Sequence, residues 1–149
     1  MTDCGVDSPA ISGFGHIDFT VTDLERSVQW WDKVLGFKLV HRRERPEFTL
    51  VNVIHPCGVV IGLMSHSDPA SDRFDERVVG LDHFALQVPD RPALEAWAAH
   101  LDALGVQHSG IQEETGGPLI VLRDPDNIQL ELWAFDPALV DKAVASITL

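Results

Sequence analysis

Three side chains in this sequence could together hold a divalent metal ion: His16, His83 and Glu131. A histidine at the start of a strand, or a glutamate between two leucines, is by itself more often a surface residue. Two imidazole nitrogens and one carboxylate oxygen on one face of an ion, however, leave positions open for water or a substrate. This donor set suits Fe²⁺, Mn²⁺, Zn²⁺, Ni²⁺ or Co²⁺, and the spacing does not choose among them.

The two histidines occupy equivalent places in an internal repeat. Residues 15–23 and 82–90 each have a histidine at the second position, then alternating apolar residues, then Val-x-Asp. The histidines are 67 positions apart, whereas the glycines that end the following helical patterns, Gly36 and Gly105, are 69 apart. With the offset of 69 residues, Glu131 of the second copy aligns with Gly62 of the first copy.

The elements that must position these side chains follow the same order in both copies. Period-two alternation predicts strands, and capped apolar stripes at helical spacing predict helices. The first copy reads as a strand, a helix capped by a box at Thr22 and Glu25, and three further strands, with the charged segment 41–47 predicted to be a turn or loop. The second copy repeats this order, and Asp136-Pro137 opens a last helix. The predicted fold class is α+β, with two tandem βαβββ modules.

The module boundaries follow from composition and punctuation. The predicted divisions of one domain are a leader at 1–14, a first module at 15–64, a linker loop at 65–80, a second module at 81–135 and a C-terminal helix at 136–149.

Composition excludes several classes of function. The net charge of −12 argues against binding to nucleic acids or to anionic membranes. No segment approaches the ~18 uninterrupted apolar residues of a membrane span, and the start lacks the features of a secretory signal. Two cysteines in 149 residues do not form a disulfide framework. These features favour a cytoplasmic protein.

Four stretches, at residues 15–28, 33–37, 81–88 and 123–132, resemble motifs of the vicinal oxygen chelate superfamily. This family includes glyoxalase I, fosfomycin resistance proteins, extradiol dioxygenases, methylmalonyl-CoA epimerase and bleomycin resistance proteins. The resemblance covers roughly residues 14–135. It implies paired βαβββ modules whose mixed sheet curls into a cup around a metal, a small-molecule substrate and a homodimer.

The resemblance assigns the family's two histidine ligands to His16 and His83, and its glutamate ligand to Glu131. The family's fourth ligand falls on Gly62, which has no donor. This departs from glyoxalase I and the epimerase, and agrees better with the three-ligand fosfomycin-modifying enzymes and extradiol dioxygenases. The chain has no tyrosine, although a catalytic tyrosine is common in the dioxygenases. Bleomycin-binding members lack the metal ligands that this chain retains.

The hypothesis is therefore a divalent-metal-dependent enzyme of the glyoxalase or dioxygenase type, whose substrate chelates the metal through neighbouring oxygens. His66 is the candidate acid or base. The candidate cavity residues share strand faces with the metal ligands: Asp18, Thr20, Gln87, Gln129 and Trp133. The alternative is a protein of the bleomycin-resistance kind that sequesters a small molecule without turnover. Arg123 precedes a turn, which favours a structural role.

Overall fold

The computed structural model describes residues 11 and 13–147, so most of the leader predicted at 1–14 lies outside the described residues. Within them the chain forms two βαβββ units and a final helix. The elements, in order, are β1 (Ile17–Thr20), α1 (Leu24–Leu35), β2 (Lys38–Glu44), β3 (Phe48–Ile54), β4 (Val60–His66), β5 (Phe84–Gln87), α2 (Arg91–Leu104), β6 (His108–Glu114), β7 (Gly117–Arg123), β8 (Gln129–Trp133) and α3 (Pro137–Ala145).

Each unit contributes one four-stranded mixed sheet, with strand orders β1-β4-β3-β2 and β5-β8-β7-β6. In both sheets the first strand pairs in parallel with the last, and the other pairs are antiparallel. The two topologies are identical, which confirms the predicted α+β fold of duplicated βαβββ modules. Neither sheet closes on itself among the described strands.

The two long helices begin and end with matching caps. The Asp23 carboxylate accepts from the Arg26 amide at the start of α1, and the Asp90 carboxylate accepts from the Ala93 amide at the start of α2. Gly36 and Gly105 end the helices in the left-handed region, with φ of 78° and 67°, where glycine has no steric penalty. The cap of α1 is thus Asp23, and the prediction of a box starting at Thr22 was one residue early.

Thr22 has a different partner, and that partner joins the two modules. Its amide and its hydroxyl both donate to the carboxylate of Asp126, which lies on the turn between β7 and β8. Arg26 and Ser27 donate to the same carboxylate, at 3.0 and 3.5 Å. The buried Asp126 side chain therefore ties the turn before β8 to the first turn of α1.

The apolar faces of the helices and sheets meet in one hydrophobic core. Its fully buried members come from both modules, including Trp31, Ile61, Leu94, Ile120 and Leu130. On β8 the alternation is as predicted, because Leu130 and Leu132 are buried in the core and Glu131 lies on the opposite face. The faces away from the helices are left for polar side chains.

Two strands extend further than the sequence indicated. β2 continues to Glu44, so most of the segment predicted as a loop at 41–47 is strand. Antiparallel pairing of Arg43 with Leu50 and Glu44 with Thr49 satisfies its backbone, while its charged side chains remain exposed at the sheet edge. β4 likewise continues to His66. No helix in the described part of the chain is long and apolar enough to cross a membrane.

Candidate metal centre

The second module brings His83 and Glu131 together. His83 directly precedes β5, and Glu131 lies in the middle of β8, opposite Ala85 in the parallel pair. The His83 Nε2 and Glu131 Oε2 atoms are 3.5 Å apart. Two atoms that each bind one ion at ~2.1 Å lie no more than about 4 Å apart, so this separation is compatible with a shared metal.

A neighbouring carboxylate orients the His83 ring. Nδ1 of His83 donates to Oδ1 of Asp82 at 2.6 Å. That hydrogen bond leaves Nε2, on the Glu131 side, with the lone pair that a metal requires. A ligand histidine whose second nitrogen donates to a carboxylate is the usual outer-shell arrangement in metal sites. The residues present therefore fit a divalent metal ion by donor type and by orientation.

The pair opens into a cleft of about 420 Å³ on the open face of the second sheet. This volume lies in the range of small-molecule sites. Leu119, Val121 and Trp133 supply apolar walls. The polar lining residues are His83, Gln112, Glu114, Thr115 and Glu131.

His16 lies in the first module with a carboxylate of its own. Its Nε2 is 3.8 Å from Oδ1 of Asp18, two residues along the chain at the start of β1. No group of three or more histidine, cysteine, aspartate or glutamate side chains among residues 11 and 13–147 is arranged to hold a metal. The single chain thus brings together two of the three predicted ligands, and His16 belongs to a separate pair.

The position expected for a fourth ligand is occupied by another residue's side chain. Gly62 lies opposite Asp18 in the parallel pair of β1 and β4. A Cβ atom at position 62 would overlap Oδ1 of Asp18. The glycine therefore makes room for a carboxylate from the neighbouring strand.

Of the predicted cavity residues, Trp133 lines the cleft beside His83 and Glu131. Its Nε1 donates to the Gly117 carbonyl at 3.1 Å, and its ring packs against Phe135 with centroids 4.9 Å apart. A Cβ on Gly116 would come within 2.6 Å of the indole. These contacts fix the ring as a rigid wall.

The other predicted cavity residues do not line the cleft of His83 and Glu131. Gln129 accepts from Arg123 at 2.7 Å, so its side chain belongs to a structural network. Gln87 lies on β5 opposite Trp133 of β8, and its side chain is exposed. Thr20 ends β1 beside a second cleft formed with the linker residues. Asp18 lies next to His16, as described above.

His66 is the last residue of β4, on the same face as Gly62 and Met64 by alternation. It lines a cleft of about 470 Å³ with Val21 and linker residues such as Pro69. Its ring centroid is 6.3 Å from that of Phe48. The structure does not bring His66 into the cleft of His83 and Glu131.

The linker is anchored to the second module by an ion pair. Arg123 binds both carboxylate oxygens of Glu76, at 2.8 and 2.9 Å, and also donates to the Asn127 carbonyl. The hydrogen bonds from Arg123 lower the pKa of Glu76 to about 2. This supports the structural role predicted for Arg123.

One buried carboxylate in the turn between β7 and β8 has the opposite shift. Burial raises the pKa of Asp124, just before β8, to about 6, although the amides of Ile128 and Asp126 donate to its Oδ1 and oppose the change. Its Oδ2 atom has no hydrogen-bond partner among the described residues. The turn that leads into β8 therefore contains a carboxyl group whose ionised form is destabilised by burial.

Sequence reasoning assigned no role to Asp82, Gln112 or Glu114. Asp82 could have been found from its position next to a ligand histidine, since such histidines commonly have a carboxylate partner. Gln112 and Glu114 face the cleft because β6 runs to Glu114.

Two duplicated βαβββ units, each with a histidine and a carboxylate on its open sheet face, define the class of fold. Residues 13–132 match the Glyoxalase/Bleomycin resistance protein/Dioxygenase superfamily, and the chain belongs to this superfamily. The chain is 30% identical to a glyoxylase/bleomycin resistance protein/dioxygenase domain from Frankia sp. EAN1pec. That structure has a TM-score of 0.78, with 86% of this chain and 95% of the other covered.

Two further relatives mark the range of the family. Catechol-2,3-dioxygenase from Bacillus subtilis (strain 168) is 30% identical over 83% of this chain, which spans only 41% of that protein's length. A fosfomycin resistance protein from Listeria monocytogenes, solved with Mn(II) and 1S,2S-dihydroxypropylphosphonic acid, is 21% identical. Its TM-score is 0.68, with 88% of this chain and 98% of the other covered. At that identity it shows the shared fold alone.

Proposed function

We propose that this protein is a divalent-metal-dependent enzyme of the glyoxalase or dioxygenase type, acting on a small substrate that chelates the metal through neighbouring oxygens. The observation that carries the proposal is the pair of His83 Nε2 and Glu131 Oε2, 3.5 Å apart, with Asp82 orienting the imidazole. This arrangement aims an imidazole nitrogen and a partly buried carboxylate into a cleft.

His16 completes the proposed ligand set from a second copy of the chain. In each chain His16 belongs to the first module, and His83 and Glu131 belong to the second. Among the described residues these three side chains do not form one group. A homodimer that places the first module of one chain against the second module of its partner brings them together. The exposed, unpaired edges of the two open sheets give such a partner a surface to cover.

The chain's own residues then bind and enclose the substrate. Leu119, Val121 and Trp133 exclude water from one side of the substrate, and Gln112 offers an amide for orientation. A bound divalent metal supplies Lewis-acid stabilisation of negative charge on substrate oxygens. His66 is the proposed proton donor or acceptor, because by alternation it lies on the same face of the first sheet as Asp18.

The proposed metal is Fe, Mn, Zn, Ni or Co. The proposed reaction is that of a dioxygenase, a lyase/isomerase or a fosfomycin-type transferase. The similarity to catechol-2,3-dioxygenase supports testing ring-cleavage substrates first. Adducts of 2-oxoaldehydes with thiols, and fosfomycin, are the other two substrate types to screen. The proposed location is the cytoplasm.

A second candidate function is sequestration of a small molecule in the same cleft without turnover. The rigid Trp133 wall, with Leu119 and Val121 beside it, favours this function as well, because a planar ligand can stack there without a metal. Tight binding by metal-free protein, with no product formed in the metal-loaded state, would support sequestration.

The experiment for the enzyme is metal analysis of the purified protein and of the His83→Ala and Glu131→Gln variants. We expect about one metal ion per pair of half-sites in the wild type and almost none in either variant. The matched controls are His41→Ala, an exposed histidine of β2, and Glu95→Gln, an exposed glutamate of α2. Equal metal content in all five proteins would contradict the proposal.

A separate variant tests His66. His66→Ala should retain the metal and lose turnover at least tenfold, because general acid–base catalysis contributes about 10²–10⁴-fold. Unchanged turnover across the pH range would remove His66 from the mechanism.

A further inference from the structure

The two modules place a carboxylate on opposite strands of equivalent strand pairs. In the first module Asp18 of β1 lies opposite Gly62 of β4. In the second, Ala85 of β5 lies opposite Glu131 of β8. Each pair therefore combines one acidic residue with one small residue, but the acid is on the first strand in one module and on the last strand in the other.

The Asp18 carboxylate fills the space that a side chain at position 62 would need. A Cβ built on Gly62 would overlap Asp18 Oδ1 and would lie 2.5 Å from Cγ, with Leu50 Cδ1 at 3.1 Å. Gly62 is not in the left-handed region, since the positive-φ glycines of the described residues do not include it. Glycine is thus required here for space and not for its backbone conformation.

The two carboxylates have comparable relations to their histidines. Asp18 Oδ1 is 3.8 Å from His16 Nε2, and Glu131 Oε2 is 3.5 Å from His83 Nε2. No amide, hydroxyl or guanidinium among residues 11 and 13–147 donates a hydrogen bond to the Asp18 carboxylate. Among the described residues, Oδ1 of Asp18 therefore has no hydrogen-bond donor that would compete with a cation.

We propose that Asp18 is itself a metal ligand, and that it replaces from β1 the donor that Gly62 cannot supply from β4. This rests on the proposed metal-dependent function. The site then has two imidazoles and two carboxylates, of which His16 and Asp18 come from one half and His83 and Glu131 from the other. Two carboxylates would balance the charge of a divalent ion, and a set of four protein donors would leave room for a substrate with two neighbouring oxygens.

The test moves the carboxylate back across the strand pair. Mn²⁺ affinity is measured by titration, following the loss of the free-ion electron paramagnetic resonance signal, on wild type, Asp18→Ala, and the double variant Asp18→Ala with Gly62→Glu. Asp141→Ala, an exposed aspartate of α3, controls for loss of one negative charge. His83→Ala reports on the whole site, and thermal melting of each variant checks that it is folded.

We expect Asp18→Ala to weaken Mn²⁺ binding at least tenfold, the double variant to return to within about threefold of wild type, and Asp141→Ala to bind as wild type. If His83→Ala loses the metal while Asp18→Ala does not, the site has three ligands and this inference is overturned, but the proposed function stands. A loss of Mn²⁺ affinity in Asp18→Ala that the double variant does not reverse also overturns the inference. Asp18 would then support the structure of the β1–β4 strand pair and would not be a metal ligand. If neither single variant loses the metal, the proposed function itself fails.

Discussion

The two halves of the proposed site share a backbone and differ in how firmly their donors are held. In the second module the Glu131 side chain is 14% exposed and the His83 side chain 41%; in the first, Asp18 is 35% exposed and His16 61%. Asp82 orients His83, whereas the residue that corresponds to it before His16 is Gly15. Duplication has therefore produced one preorganised half and one exposed half.

This difference indicates a division of labour. A ligand whose second ring nitrogen is already bound to a carboxylate loses little freedom on binding a metal, so the second module should set most of the affinity. The first module has freer donors that gain order only when covered. Contact with another copy would provide that cover.

The largest effect, on stability, is expected from the contact that joins the two modules. Asp126→Ala removes the acceptor for Thr22, Arg26 and Ser27 and leaves those donors beside a buried gap. Hydrogen bonds to a charged group contribute ~1.5–3 kcal/mol, so we expect a loss of about 3 kcal/mol in the free energy of unfolding. Denaturant unfolding measures it, with Cys57→Ala in the exposed turn of the first module as the matched control. Equal losses in both variants would mean that the Asp126 contact adds nothing particular.

The next effect concerns the orienting carboxylate. Asp82→Asn keeps the size of the side chain and weakens its hold on His83 Nδ1, so we expect about a tenfold loss in metal affinity, within the ~10–100-fold range for outer-shell partners. Metal titration checks this prediction, and Asp68→Asn in the exposed linker is the control. Wild-type affinity in Asp82→Asn would remove the basis for calling the second half preorganised.

A third prediction uses the raised pKa of Asp124. Because the folded pKa of about 6 lies above the ordinary value of 3.8, the folded protein binds this proton more strongly than the unfolded chain does. The contribution to stability is present below pH 4 and is lost as pH rises through 6. Between pH 5 and pH 7 the free energy of unfolding should fall by about 1 kcal/mol through this group.

Denaturant unfolding of wild type and Asp124→Asn at both pH values isolates that part of the pH dependence. The difference in stability between the two proteins should change by about 1 kcal/mol between the two values. A difference that is constant with pH would show that Asp124 is ionised throughout.

The smallest predicted effect is a gain. Gly15 does not have a positive φ, and a Cβ built there meets nothing within 4 Å. Gly15→Asp gives His16 the neighbour that His83 already has, and should improve metal affinity by about twofold to fivefold, near the low end for such partners. Gly15→Ala is the matched control for the backbone change. An equal gain in both variants would assign the effect to the backbone and not to orientation of the ring.

The sequence predicted the duplicated fold well because its signals are local and repeat. Alternation around His16 and His83 and the helix-ending glycines at 36 and 105 recur at offsets of 67 and 69. The strand of charged residues in β2 was missed because its stability comes from pairing with β3, which no local pattern reveals.

The candidate site was predictable by residue type but not by assembly. Parity on β8 predicted Glu131 on the open face, and the family resemblance predicted His83 as its fellow ligand; the two side chains lie 3.5 Å apart. The repeat could not show that the halves lie apart in one chain, nor that Asp18 lies over Gly62, because both depend on tertiary geometry. The contact of Gln129 with Arg123 was not predictable for the same reason, since Arg123 becomes its neighbour only through strand pairing.

Complementation between two inactive variants tests most directly the claim that each metal site combines halves from two chains. His16→Ala and Glu131→Gln are each expected to bind little metal; they are mixed in equal amounts, unfolded, refolded together and titrated. Half of randomly formed dimers are hybrids, and each hybrid has one intact site, so about a quarter of all sites should bind metal as in the wild type. A mixture that binds no more metal than the two variants measured separately would contradict the account.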